Sequence, residues 1–275
     1  MNTPEINTSV FKRLRFVLVE TSRAGNIGAA ARAIKTMGFG AIGQLVLVNP
    51  RCADALQDPE AVAFASGAQD VLEGARIVTS MGQALEGCNF AAAVSARLRE
   101  FSPPVWGPRE FAGHVAQQGE LNAALIFGNE RFGLPNQIVE QCNVLINIPA
   151  NPDYSSLNLA QAAQVLAYEC RMAAIAAGAG AADRGAHAPA PASGATGAIG
   201  FHGDSASLDQ IDGMYAHLEQ ALVAIDFLDA DHPKKLMPRL KRLFARTQLE
   251  TEEVNILRGI ARQILKTSVK ANGGA

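Results

Sequence analysis

The chain has little charge, few aromatics and almost no cysteine. Of its 275 residues, 18% are charged, 6% are aromatic, one is Trp and four are Cys. Cys52, Cys88, Cys142 and Cys170 stand far apart, with no CxxC and no His at ligand spacing. This pattern argues against a disulfide framework or a zinc centre and fits structural thiols in a reducing compartment, so no metal is expected. No apolar run approaches the ~18 residues that a membrane helix needs. The Ala-rich stretch 172–182 is short and broken by Gly. The first residues lack the apolar core of a signal peptide, so a cytoplasmic protein with no membrane partner is expected. A GxGxxG turn is also missing, and the second apolar strand ends at Asn49 rather than at an acid able to grip a ribose, which weakens a dinucleotide reading.

What is present is apolar patterning. Hydrophobic residues make up 48% of the chain, enough for a sizeable core. Residues 16–19 (FVLV) and 45–48 (LVLV) read as buried strands, and between them Ile27, Ala30, Ala31 and Ile34 form one helical stripe, with Gly38 placed for a C-cap. Strand, helix and strand within about 30 residues make a right-handed βαβ unit. The alternation continues with a helix over 61–72, a strand at 77–79, a helix at 81–85 and a strand at 90–95. It then gives a helix over 108–118, a strand at 123–127, a helix over 135–142, a strand at 144–148 and a long helix from 157. The fold class predicted is α/β, an open and mostly parallel sheet with helices on both faces, whose ligands bind beyond the carboxyl ends of the strands.

Residues 1–175 would form this domain. Residues 176–204 are dominated by Gly, Ala and Pro and read as a flexible linker. Residues 205–275 read as a small all-helical module with helices over 207–227, 238–246 (Pro238 at N1) and 251–270. The net charge of −2 hides an asymmetry: from Ala230 onward there are ten Lys or Arg against four acids, a local +6. In the second of these helices Leu240, Leu243 and Phe244 make one face and Arg239, Arg242 and Arg246 another. In the third, Leu257, Ile260, Ala261 and Ile264 point inward while Arg258, Arg262 and Lys266 recur every four residues. Such faces are often solvated surface; two of them beside a local +6 point to a nucleic acid.

Three loops that follow strands carry unusual polar chemistry. The first is GNIGAAAR (25–32), where Gly28 lies one turn below Arg32 and would let an anionic backbone approach; an ordinary solvent-facing Arg is the plainer alternative. The second is IFGNERFGLPNQ (126–137), with Gly128 and Gly133 around Asn129, Glu130 and Arg131. The third is IPANPDYSSLN (148–158), where Pro149 and Pro152 forbid regular pairing and Ser155, Ser156 and Asn158 sit at a helix start, as caps or as ligands. The Ser95-Ala96-Arg97 turn is a less specific fourth contributor.

Together these stretches resemble the SPOUT (SpoU/TrmH-type) RNA 2′-O-ribose methyltransferases. The motifs N-x-G-x-x-x-R, F-G-x-E-x-x-G-L and I-P…S-L-N-x-A are met by Asn26, Gly28 and Arg32, by Phe127, Gly128, Glu130, Gly133 and Leu134, and by Ile148, Pro149, Ser156, Leu157, Asn158 and Ala160. The match spans about residues 14–175, and the NPDYSSLNLA wording and the C-terminal HLEQAL…NILRGI extend it to a tRNA-directed branch. The resemblance implies a deep C-terminal trefoil knot, which no patterning rule would propose. It also implies a homodimer and S-adenosyl-L-methionine as methyl donor. Cofactor residues would be Val94, Ser95, Ala96, Gly128, Ile148, Ser155, Ser156 and Leu157. Arg32, Ser156 and Asn158 would be catalytic, with Arg32 reaching the partner's site. Asn26, Arg32, Glu130, Arg239, Arg242, Arg246, Arg258 and Arg262 would serve the substrate, a tRNA ribose at the first nucleotide of the anticodon loop (cytidine or uridine). A ribosomal RNA substrate and a non-catalytic RNA-binding protein are the alternatives.

Those residue types suit the reaction. The difficult part of ribose methylation is aiming and partly deprotonating a weakly acidic 2′-hydroxyl, which Ser and Asn can orient through hydrogen bonds. A guanidinium is a poor base because it keeps its proton. Arg32 therefore reads as a clamp on the adjacent phosphate and the developing alkoxide.

Overall fold

The computed structural model describes residues 9–99, 102–183, 204–230, 235–245 and 247–272. In chain order the elements are α1 (Val10–Arg13), β1 (Leu14–Val19), α2 (Ala24–Thr36), β2 (Leu45–Val48), α3 (Pro59–Ala65), α4 (Gln69–Glu73), β3 (Arg76–Val78), α5 (Met81–Leu85), β4 (Phe90–Val94), β5 (Val105–Trp106), α6 (Pro108–Gln117), β6 (Ala123–Phe127), α7 (Asn136–Gln141), β7 (Val144–Ile146), α8 (Leu159–Asp183), α9 (Leu208–Ala224), α10 (Leu236–Phe244) and α11 (Thr251–Asn272). The strands form one seven-stranded sheet in the order β3-β2-β1-β6-β4-β7-β5, and every pairing is parallel.

Alternation along each strand supplies two cores. Phe16, Leu18, Phe90, Ala92, Leu125 and Phe127 face one side, under α2, α3, α6 and α8. Val17, Val19, Ala91, Ala93, Ala124 and Ile126 face the other, against Ala84 of α5, Val139 of α7 and Leu208 of α9. Full burial on both faces is why these strands read as unbroken apolar runs.

Several expectations are corrected. The helix over 61–72 is broken: α3 ends at Ala65 and a 3-10 turn over Ser66–Ala68 leads into α4, with Ser66 at φ 51°. Strand β7 stops at Ile146, short of Ile148; the Asn147 N–H still donates to the Trp106 carbonyl, and its side-chain amide donates to the Ser95 and Ala96 carbonyls. Strand β5 was not foreseen; two residues are too few to show a period. Pro238 sits at the third position of α10, not at N1. Helix α8 continues to Asp183, into the stretch read as linker from 176. The rest of that stretch, 184–203, lies outside the described residues, as does Arg246.

The C-terminal module closes on its own core of Met214, Tyr215, Leu228, Met237, Leu249 and Val254, with Leu240, Phe244 and Leu257 packed against it. A capping box starts α9: the Ser207 hydroxyl accepts from the Gln210 N–H, and the Gln210 side chain accepts from the Ser207 N–H at 2.8 Å. Ile260 is 51% exposed and so does not belong to the inward face assigned to it, and Leu243, grouped on one face with Leu240 and Phe244, is 53% exposed. The inward stripe of α11 runs instead through Val254, Leu257 and Ala261. The module is also docked on the sheet domain. Leu208 is 6% exposed among Cys88, Val139 and Cys142, its N–H donates to the Cys88 carbonyl, and Gln248 meets the ring of His114 at 3.3 Å. Burying a leucine in this way contributes about 1.5–3 kcal/mol.

Candidate cofactor and RNA site

Strands β6, β4 and β7 are neighbours in the sheet, so the loops that leave their carboxyl ends meet beyond one edge of the parallel array. Each loop is held by its own side chains. After β4, the Ser95 hydroxyl accepts from the Arg97 N–H, and Asn147 donates to the Ser95 and Ala96 carbonyls. After β6, Asn129 is 6% exposed; its amide donates to the Glu20 carbonyl at 2.7 Å while its oxygen accepts from the Arg131 and Phe132 N–H groups. A Cβ on Gly128 would stand 2.3 Å from the Gly133 carbonyl carbon and 2.4 Å from Leu134 N, so only glycine lets this loop fold back on its own start. After β7, the Asn158 oxygen caps α8 by accepting from Ala160 N–H at 2.9 Å.

Glu130 joins the third and second loops to the first. Its carboxylate accepts from the Ser22 N–H and hydroxyl, the Arg23 N–H and the Asn26 amide at 2.8–3.2 Å. The Asn26 oxygen in turn accepts from the Asn158 amide at 2.9 Å. Burial pushes the Glu130 carboxyl up, but the hydrogen bonds from Asn26 and Ser22 outweigh it and leave the group below its ordinary value.

Between the loops lies a cavity of about 400 Å³. All eight expected cofactor residues line it: Val94, Ser95, Ala96, Gly128, Ile148, Ser155, Ser156 and Leu157, together with Glu130. Arg97, Asn129, Arg131, Arg99 and Phe132 line it too; the sequence marked the first three only as members of these loops and gave no sign of the last two beyond the R-L-R after β4. The Arg99 Nη2 donates to the Leu134 carbonyl at 2.6 Å, whereas its Nη1 is buried without a hydrogen-bond partner. Desolvation lowers the pKa of this guanidinium.

Other expected residues are not brought to the cavity. Arg32 stands exposed on α2, outside the lining. Asn26, half-buried, and Asn158, exposed, are outside the lining and belong to the Glu130 network. Gly28 does not open a path for an anion: a Cβ there would fall 2.0 Å from the Ala61 carbonyl oxygen, so this glycine serves the contact of α2 with α3. Arg239 and Arg262 are exposed, and Arg258 is half-buried with its Nε donating to His217 at 3.4 Å. Arg242 borders a second groove with Leu98, Arg99, Pro103 and Val105. Among the described residues no group of His, Cys, Asp and Glu could hold a metal ion.

Residues 13–168 match the model of the SpoU rRNA methylase family. The chain belongs to the SpoU methylase family. Residues 209–273 match a second model, the C-terminal domain of the tRNA methyltransferase TrmJ. The chain is 43% identical over 257 residues to the tRNA (cytidine/uridine-2′-O-)-methyltransferase TrmJ of Pectobacterium atrosepticum, covering 92% of this chain and 97% of that one. Among solved structures, TrmJ from Z. mobilis ZM4 superposes with a TM-score of 0.72 at 28% identity, covering 91% of this chain and 98% of that chain. A probable methylase family protein from Haemophilus influenzae gives 0.57 at 36% identity, covering 93% and 97%. In this SpoU family member the second and third motif loops wall the cavity together with the loop after β4, while the first motif lies outside the lining.

Proposed function

We propose that this SpoU-family methyltransferase transfers a methyl group from S-adenosyl-L-methionine to the 2′-hydroxyl of a cytidine or uridine at the first nucleotide of the tRNA anticodon loop. The observation that carries the reading is the convergence of the β4, β6 and β7 loops on one cavity of about 400 Å³, a size ordinary for a cofactor site. Its lining fits the donor. Val94, Ile148, Leu157 and Ala162 suit an apolar ring system, and the unpartnered Nη1 of Arg99 suits a carboxylate. When bound, the donor supplies an electrophilic methyl whose leaving group is neutral.

The remaining work falls to the chain. Ser156, exposed on the rim, would aim the 2′-hydroxyl. Asn158, bonded to Asn26 and through it to Glu130, would hold Ser156 in place. Arg32 would clamp the neighbouring phosphate and the developing alkoxide, the proton leaving to phosphate or water. Because Arg32 lies outside the cavity lining of its own chain, it would act in the site of a second copy within a homodimer. The exposed Arg239, Arg242 and Arg262 would bind tRNA phosphates. A trefoil threading of the loop after β7 and a cytoplasmic setting belong to the same reading.

A labelled-methyl assay on tRNA and ribosomal RNA, followed by nucleoside mass spectrometry, tests it. The expected product is 2′-O-methylcytidine or 2′-O-methyluridine in tRNA; a base-methylated product, or methyl groups in ribosomal RNA alone, would overturn it.

A further inference from the structure

An aromatic ring lines the cavity without being one of the eight expected cofactor residues or a member of the Glu130 network. Phe132 reaches the cavity yet is 65% exposed. It does not sit on a loose loop: its N–H is held by the Asn129 side chain at 3.1 Å, and the next N–H, of Gly133, by the Asn129 carbonyl at 2.8 Å. Asn129 is itself buried and anchored to β1 through the Glu20 carbonyl. The guanidinium of Arg131 lies 5.4 Å from the centre of the ring, a cation–π distance that fixes the ring further. An apolar face is thus presented to solvent from a rigid turn, beside a cation, at the mouth of the site where a nucleotide must enter.

We propose that Phe132 is a positioning residue on which the nucleobase of the target nucleotide stacks, with Arg131 meeting that nucleotide's phosphate. The proposal rests on the reading of the cavity as a ribose methylation site. Any base offers a π-face, and stacking reads no Watson–Crick edge, so a stacking platform accepts cytidine and uridine alike. Holding the base fixes the glycosidic bond and therefore the direction of the 2′-hydroxyl, which is what an in-line displacement requires.

The test pairs two substrates with three proteins. The substrates are a tRNA transcript with its normal target nucleotide and one carrying an abasic ribonucleotide there, which keeps the 2′-hydroxyl. The proteins are the wild type, Phe132→Ala and Phe132→Trp. Wild-type kcat/KM should fall about ten- to a hundredfold on the abasic substrate, the range that loss of one stacked base produces. Phe132→Ala should show a similar loss on normal tRNA and little further loss on the abasic one. Phe132→Trp should recover most of the efficiency, and cofactor affinity by calorimetry should be the same in all three. An alanine variant as efficient as wild type, or one penalised by the abasic site as fully as wild type, overturns the proposal. So does a Phe132→Ala protein whose only change is its sedimentation, since the ring would then belong to a contact between copies. If wild type methylates neither transcript, the methylation reading itself fails, and the stacking role with it.

Discussion

The side-chain amide of Asn158 donates to the Asn26 oxygen at 2.9 Å, linking the cap of α8 to the first turn of α2 across 132 residues. The direction of this bond is imposed from behind. Glu130 can only accept, so Asn26 must turn its NH2 to the carboxylate and its oxygen to Asn158. The same Asn158 uses its oxygen to cap α8. Asn158→Asp should therefore keep the cap and lose the link, whereas Asn158→Ala loses both. A thermal melt should place the alanine variant lower by the ~0.5–2 kcal/mol of a lost cap, while methyl transfer falls in both.

Glu130 should make stability pH-dependent. Its folded pKa is depressed, so its contribution is present above the ordinary carboxylate value of 4.5 and is lost as pH falls through the folded value. Glu130→Gln should be less stable than wild type near neutrality, by about 1.5–3 kcal/mol if a charge-assisted bond is lost. The two melting curves should converge under acid. A gap that stays constant from pH 3 to 7 would remove the carboxylate from this role.

Gly28→Ala tests the correction to the first motif. With a Cβ placed 2.0 Å from the Ala61 carbonyl oxygen, α2 and α3 must separate. The loss in urea denaturation should be about 1–3 kcal/mol or more. If glycine there served RNA approach, stability would be unaffected and only tRNA affinity would change.

Arg32→Ala should reduce the methylation rate about tenfold to a hundredfold, the value of one charge-assisted hydrogen bond, with cofactor affinity intact because Arg32 is outside the cavity lining. Mixing Arg32→Ala with Ser156→Ala protein should restore part of the activity, since a mixed dimer holds one complete site. No recovery on exchange of subunits would place Arg32 in the site of its own chain.

Replacing the exposed Arg239, Arg242 and Arg262 by Glu should weaken tRNA binding and flatten its salt dependence. The log–log slope should shrink by about 0.7–0.9 for every phosphate that is no longer neutralised. These substitutions are preferable to deletion of the module, because removing Leu208 would uncover Cys88, Val139 and Cys142.

The parallel sheet was legible because doubly buried strands must be continuously apolar, as 16–19, 45–48 and 123–127 are. The polar loops were legible because glycine, proline and small hydroxyl residues cluster where backbone leaves regular structure; which of their residues line a cofactor site was implied only by the resemblance to the SPOUT methyltransferases. Asn129 was visible as a polar loop residue, but its role was not, since that role lies in hydrogen bonds to a residue distant in the chain and to the backbone of its own loop. Gly28 was misread because a missing side chain looks the same whether RNA or a helix backbone fills the gap. Ile260 was misassigned because a helical period marks an apolar position without saying which neighbour covers it.

The amino-acid sequence by itself thus determined six of the seven strands, most of the helices and the three polar loops, since backbone preference and burial period are local properties. Only the tertiary structure decided that Glu130 holds Ser22, Asn26 and, through it, Asn158, and that the module rests on the sheet. Those pairings depend on which strands lie side by side, and hydrogen bonds across more than 100 residues leave no period in the chain.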